Sequence, residues 1–237
     1  LMLIHETIAG LRAARAKAGR IALVPTMGNL HEGHIALMTQ ARAHADQVIA
    51  TIFVNRLQFR PGEDFEKYPR TFADDCARLE AAGVEHLFAP GEAEMYPQPQ
   101  SYHVEPPPDQ AGVLDGEFRP GHFRGVATVV MKLFQIAQAD VALFGKKDYQ
   151  QLMVIRNMVR EFNLPLEIIP GETVRAADGL ALSSRNGYLT AAERVEAPVL
   201  FREISALAAA VRAGDRDFAR LEMQAMENLK LRGWFPD

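Results

Sequence analysis

His31 and His34 stand three residues apart at the end of the run Val24-Pro25-Thr26-Met27-Gly28-Asn29-Leu30-His31-Glu32-Gly33-His34. Residues at i and i+3 share a helix face, so both imidazoles can meet one ligand while Glu32 falls off that face. Imidazoles so placed can donate hydrogen bonds to phosphate oxygens and match the charge that builds on a departing pyrophosphate. The elements that must position them follow from the pattern. Residues 21–24 form a short apolar strand, Pro25 and Gly28 punctuate a turn, and Ile35, Leu37, Met38 and Ala41 resume at helical spacing. A helix beginning near Glu32 would point unpaired N–H groups and its positive dipole end back at the loop, which suits an anion.

The same spacing also fits an exposed helix face or half of a metal site. A zinc site would want a further ligand in register, and the chain has no HExxH and one cysteine, Cys76. Gly28 and Gly33 are neither followed by Lys-Ser nor spaced as GxGxxG, so the run is not a Walker loop or a dinucleotide fingerprint.

PTMGNLHEGH resembles the nucleotide-binding segment of the HxGH adenylyl- and cytidylyltransferase superfamily, and within it the pantothenate synthetase family. Four further blocks agree in order and spacing: Phe53-Val54-Asn55-Arg56-Leu57-Gln58-Phe59, Arg119-Pro120-Gly121-His122-Phe123-Arg124-Gly125-Val126, Phe144-Gly145-Lys146-Lys147-Asp148-Tyr149-Gln150-Gln151-Leu152 and Gly179-Leu180-Ala181-Leu182-Ser183-Ser184-Arg185-Asn186. The match runs essentially end to end.

The resemblance implies ATP-dependent condensation of pantoate with β-alanine through an enzyme-bound pantoyl adenylate, releasing pyrophosphate and then AMP. It implies that His31, His34, Lys147, Ser183, Ser184 and Arg185 surround the triphosphate, with Mg2+ assisting. Thr26, Met27, Gly28, Gly145, Asp148, Val174 and Leu182 are carried over as further ATP-binding positions. Gln58 and Gln151 are the family's pantoate positions, with Asn55 in the same block, and Pro25, Met27 and Phe144 could wrap the gem-dimethyl group. His34 is the family's candidate general acid. A helix N-terminus depresses imidazole protonation, so charge stabilisation is the expected role of both histidines. Asp74 and Asp75 could sit near magnesium, although a charge pair in the first turn of a helix explains them equally well. A homodimer formed through the first domain is implied too.

The bulk properties are consistent and less informative. The chain has 237 residues, 48% hydrophobic and 24% charged, enough for one large domain or one medium and one small domain. A net charge of −4 gives no reason to expect nucleic acid. A lone cysteine excludes an intrachain disulfide and suits a reducing cytoplasm; Cys76 itself reads as a small buried hydrophobe. No apolar run reaches membrane-spanning length. The Arg-rich stretch 11–20 leads straight into the first strand and reads as the first helix, not a transit peptide.

Strand patterns at 21–26, 48–54, 85–88, 141–144 and 166–169 alternate with helical ones at 6–18, 32–45, 71–82, 126–138 and 149–162. That alternation predicts a parallel α/β, Rossmann-like domain over 1–173, with ligands outside the carboxyl ends of the strands. The proline-rich stretch 96–109 is expected to surround a short strand at 102–105, and 112–125, rich in glycine, to be a mobile lid. A smaller C-terminal α+β domain is expected over 174–237, mostly helical at 191–213 and 217–231.

Two departures from the family pattern stand out. Arg56 replaces a proline, freeing φ and restoring an N–H, with a looser loop or an added charge near the pantoate carboxylate as the consequence. The sequence ends at Gly233-Trp234-Phe235-Pro236-Asp237 where the family pattern continues with a further strand, so the second domain is expected to be incomplete. The alternatives are another HxGH nucleotidyltransferase, which would release a stable nucleotidyl product, and a weakened nucleotide-binding variant.

Overall fold

The computed structural model describes residues 1–236 and divides into two compact units, Leu1–Val174 and Arg175–Asp237, the final Asp237 itself lying outside the description. In the first unit the chain runs β1 (Leu3–His5), α1 (Ile8–Arg15), β2 (Ile21–Thr26), α2 (Glu32–Arg42), β3 (Gln47–Ile52), α3 (Phe72–Ala81) and β4 (His86–Phe88). It continues through the short helices α4 (Glu92–Met95), α5 (Pro108–Ala111) and α6 (Asp115–Phe118). The closing elements are α7 (His122–Ala137), β5 (Val141–Gly145), α8 (Tyr149–Glu161) and β6 (Glu167–Gly171). The six strands form one sheet in the order β1-β4-β3-β2-β5-β6, every pairing parallel.

The strands are continuously apolar because both faces of the sheet are covered. Side chains alternate between faces: Ile21, Leu23 and Ile49 join Leu11 of α1 and most of α7 in one core, while Ala22, Val24, Val48 and Ala50 join Met38 of α2 and Leu79 of α3 in the other. Truncating one such fully buried side chain, Leu23→Ala for instance, costs about 2–5 kcal/mol. Helix α7 is buried along almost its whole length and ends where Gln138 turns left-handed at φ +47°.

From β2 the sheet builds one way through β3 and β4 and the other way through β5 and β6, which makes the carboxyl ends of β2 and β5 the topological switch point. Pro25 marks it. Thr26 turns its N–H and C=O toward β3, bonding Thr51 Oγ1 and the Phe53 N–H, so Pro25 faces β5. There β5 pairs with Ala22 and Leu23 and has diverged by Pro25, so the missing N–H interrupts no ladder and the sheet opens into a crevice.

Two expectations are corrected in this unit, and one strand is added. Residues 102–105 are not a strand: prolines flank the segment and no strand pairs with it, and it lies extended with the Val104 N–H on Thr128 Oγ1 at 3.0 Å. The stretch 112–125 is not a loose lid but is folded into α6 and the start of α7. Gln150 donates to Gln110 O at 3.1 Å and Val113 O at 2.7 Å, and Arg119 pairs with Glu63 at 2.9 Å. The edge strand β1 had no strand pattern of its own; pairing with β4 makes it.

The second unit packs α9 (Ala191–Glu196), α10 (Val199–Arg212) and α11 (Phe218–Leu231), and its β content among the described residues is one antiparallel bridge, Arg175 to Ala181. A reciprocal capping box starts α9, with the Thr190 N–H on Glu193 Oε2 at 2.7 Å and the Glu193 N–H on Thr190 Oγ1 at 3.3 Å. Glu196 accepts from Arg232 and from Trp234 Nε1, tying the end of the described chain to α9.

Candidate active site

The loop after β2 is built around its own polar groups. Thr26 Oγ1 donates to Thr51 O at 2.5 Å and accepts the Gly28 N–H at 3.2 Å. Gly28 at φ +84° and Asn29 at φ +49° then carry the chain through the left-handed region, where Gly28 alone of the two has no Cβ to strain.

His31 occupies the N-cap of α2. Its Nδ1 accepts the Gly33 N–H at 3.0 Å, and His34 Nδ1 accepts the His31 N–H at 3.2 Å, a capping box made by two imidazoles. Because a backbone N–H can only donate, both Nδ1 atoms are unprotonated and each neutral ring carries its proton on Nε2. The expectation that the helix N-terminus itself receives an anion is thereby refined: the imidazoles cap the Gly33 and His31 N–H groups and offer Nε2–H in their place. The rings lie 4.1 Å apart between centroids. Burial, then the His31 and Lys147 charges, hold His34 down to about 3, and burial with Lys147 and Arg78 lowers His31. Both are therefore neutral donors at pH 7.

Lys147 belongs to the other side of the switch point. The turn Lys146–Asp148 follows β5 and leads into α8, and the Lys147 ammonium lies 3.5 Å from Asp148 Oδ1. The neighbouring Lys146 is committed to Glu172. Gly145 ends β5 in register with Gly171, and Val174 approaches Gly33, its Cβ 4.0 Å from where a Gly33 Cβ would stand. Gln151 is half-buried in the first turn of α8. Phe144 is buried with its ring edge-on to Phe134 at 6.3 Å.

Asn55 and Gln58 come together at the turn Arg56–Gln58. Asn55 is 1% exposed; its Nδ2 donates to Gly125 O at 3.2 Å and Gln58 Oε1 at 3.0 Å, and its Oδ1 accepts the Tyr96 hydroxyl at 2.7 Å. A carbonyl at Gly125 admits only the NH2 end of Asn55, which sets both amides and leaves Gln58 Nε2 as the donor end. Asn55 thus positions the Gln58 amide. His122 Nδ1 donates to Gln58 O at 2.9 Å and its Nε2 faces Arg119 at 3.3 Å, and burial keeps the ring neutral. Gly125 packs so closely that a Cβ would stand 2.2 Å from Leu57 O. Tyr96 had no chemical signature in the sequence and His122 stood in a motif block without a role, because their roles arise from contacts 41 and 64 residues away.

The Arg56 guanidinium is engaged by the protein's own carboxylates. It pairs with Glu92 at 2.9 Å and Glu66 at 3.4 Å and stacks 3.9 Å over Phe65, two of which, Glu92 and Phe65, also line a cavity of about 310 Å³ that has Met27 in its wall.

Within the acidic pair of α3, Asp75 does not fit a metal site. Asp74 is exposed, whereas Asp75 is 2% exposed and accepts from Asn29 N and Leu30 N, both at 2.8 Å, and from Thr71 Oγ1 at 3.1 Å. Among the described residues no three His, Cys, Asp or Glu side chains group as metal ligands.

In the second unit Ser183 caps the turn Ser184–Tyr188, its Oγ accepting the Arg185 N–H at 3.2 Å. Leu182 and Ser184 are half-buried and Arg185 is exposed.

A parallel sheet with neutral imidazole donors and a lysine at its switch point defines a nucleotide-handling α/β enzyme. The sequence model of the pantoate–β-alanine ligase family matches residues 3–235. A pantothenate synthetase of Chromobacterium violaceum is 58% identical over 237 residues, all of this chain and 85% of that protein. The crystal structure of pantothenate synthetase from Thermus thermophilus superposes with a TM-score of 0.91 at 46% identity, over 96% of this chain and 83% of that one. That of the pantoate–β-alanine ligase of Francisella tularensis, complexed with β,γ-ATP and β-alanine, superposes with a TM-score of 0.82 at 39% identity, over 85% and 78%. The chain belongs to the pantoate–β-alanine ligase family.

Proposed function

We propose that this chain forms pantothenate in two steps, with each residue taking the role its chemistry supports. A pantoate carboxylate oxygen attacks the α-phosphorus of ATP, the bond to the β-phosphate oxygen breaks, and pyrophosphate leaves with the bonding pair. The amine of β-alanine then attacks the acyl carbon, the acyl–oxygen bond breaks, AMP departs and the amine proton passes to solvent. No covalent enzyme intermediate is needed.

The observation that carries this reading is the histidine pair: two neutral rings, anchored through Nδ1, that present Nε2–H donors from the switch point. Such donors match charge on phosphate oxygens without themselves changing protonation. Lys147 adds a compact positive charge. Thr26, Met27, Gly28, Gly145, Asp148 and Val174 are assigned to the nucleotide, as are Leu182, Ser183, Ser184 and Arg185 of the second unit, where hydroxyls and a guanidinium suit phosphate. Gln58, through Nε2, and Gln151 are assigned to pantoate, with Pro25 and Met27 against its methyl groups. Mg2+ accompanying ATP would be held chiefly by phosphate oxygens and water and would neutralise their charge. A cytoplasmic homodimer completes the proposal.

ATP–pyrophosphate exchange in the absence of β-alanine tests it. Exchange that requires pantoate supports the adenylation half-reaction. Exchange without pantoate, or a stable nucleotidyl product, would overturn the reading in favour of another nucleotidyl transfer.

A further inference from the structure

We infer that Asp75 positions the histidine loop by serving as its internal anion, a ligand of backbone N–H groups in place of a metal ion. The inference rests on the ATP-handling role assigned to His31 and His34.

Successive residues in turn conformations point their N–H groups to one side and form a concavity that binds anions, the arrangement many proteins use for phosphate. Here Gly28 at φ +84° and Asn29 at φ +49° create that geometry directly before His31. The anion seated in it belongs to the protein. Asp75 Oδ2 accepts the Asn29 N–H and Oδ1 the Leu30 N–H, both at 2.8 Å, and the Thr71 hydroxyl reaches Oδ1 at 3.1 Å. A Cβ on Gly28 would come within 3.1 Å of Oδ2, so the carboxylate lies closely against the loop.

Two consequences follow from that seat. The Asn29 and Leu30 N–H groups are already used, so phosphate is left to side-chain donors, consistent with the outward Nε2 atoms of the histidine pair. The carboxylate's lone pairs are directed into the loop at 2% exposure, so a metal ion could reach Asp75 only by releasing the turn that places His31. Asp75 comes from α3 and lies 45 residues from Leu30 in sequence, so it fastens the loop after β2 to a helix on one face of the sheet.

The test compares Asp75→Asn and Thr71→Val with the unaltered chain by calorimetric ATP affinity, with and without Mg2+, and by pantoate-dependent pyrophosphate exchange against Mg2+ concentration. Asparagine keeps the shape but sets an NH2 against one of the two N–H groups. We expect ATP affinity and exchange to fall about ten- to a hundredfold, as for lost hydrogen bonds to a charged group, with half-saturating Mg2+ unchanged. Thr71→Val leaves both backbone bonds in place and should weaken ATP about threefold in the same direction; it carries the test if Asp75→Asn does not fold. ATP affinity equal to that of the unaltered chain in a folded variant overturns the inference. So does a loss seen only with Mg2+ and restored by raising it, which would make Asp75 a metal ligand. If the unaltered chain binds ATP but shows no pantoate-dependent exchange, the proposed function fails while the affinity measurements still decide the role of Asp75.

Discussion

His34 Nδ1 accepts the backbone N–H of His31 at 3.2 Å, so the second histidine of the pair is anchored to the backbone of the first. Together with the bond from Gly33 N to His31 Nδ1, this sets the tautomer of both rings and separates two jobs within each. Nδ1 holds the helix end, and Nε2 is left for the nucleotide contact proposed above.

That separation can be tested with two isosteres. Asparagine at position 34 can reproduce the Nδ1 acceptor but does not extend to Nε2, whereas glutamine places an amide near Nε2 and loses the cap. His34→Asn should lower pyrophosphate exchange about a hundred- to a thousandfold, the range for a lost transition-state donor, with little change in melting temperature. His34→Gln should retain more exchange and melt lower. Equal melting losses with equal activity would contradict the division of labour.

Gly33 sits where a Cβ would come within 2.8 Å of His31 Cε1 and 2.9 Å of its Nδ1. Alanine favours a helix over glycine by about 1 kcal/mol, but displacing the His31 ring gives up its cap on the Gly33 N–H at a similar cost, so Gly33→Ala should leave thermal stability about unchanged. Displacement of the His31 ring should still cost exchange about tenfold or more. A variant that loses stability and keeps activity would show that the ring was not displaced.

His5, His31, His34, His86 and His122 all have lowered pKa values, burial being the first cause in each. For such groups the unfolded chain binds protons that the folded chain refuses. Their neutral burial is therefore fully tolerated above the unfolded value near 6.5, and stability is lost as pH falls below it, for His34 progressively down to about 3. Urea unfolding midpoints should decline from pH 7 to pH 5, and His34→Gln should make that decline shallower. An unchanged slope in the variant would remove His34 from the effect.

Tyr96 donates to Asn55 Oδ1 at 2.7 Å in a buried setting that keeps its hydroxyl protonated. Tyr96→Phe leaves that oxygen unpaired, at a cost of about 1–3 kcal/mol, and frees the amide that orients Gln58. The pantoate KM should rise about tenfold while the ATP KM stays within twofold. Parallel increases in both would point to a general loosening of the unit.

Arg56→Pro removes a guanidinium shared by Glu92, Glu66 and the Phe65 ring and restores a fixed φ at the start of the turn. Exposed ion pairs of this kind contribute little, so the pantoate KM should change by less than about threefold. A larger change would mean that the turn carrying Gln58 depends on this surface cluster.

The local alternation of apolar runs and helical spacing was enough to specify a parallel α/β sheet, because strands covered on both faces and helices covered on one have periods that each segment carries alone. His31 and His34 were legible for the same reason: three residues on one helix face lie within the reach of local geometry. What the chain of residues could not disclose is where polar groups end once distant segments meet. Asp75 reads as a helix-start charge until α3 docks against the loop after β2, and Asn55 reads as a ligand until Tyr96 and Gly125 take up its amide. Arg56 reads as an unpaired charge until Glu92, Glu66 and Phe65 engage it, and the glycine-rich stretch reads as a lid until Gln150 and Glu63 fasten it. Buried and half-buried polar atoms must find partners, and in a parallel sheet those partners come from crossover connections far away in sequence, so only the tertiary structure decides which groups remain to meet the substrate.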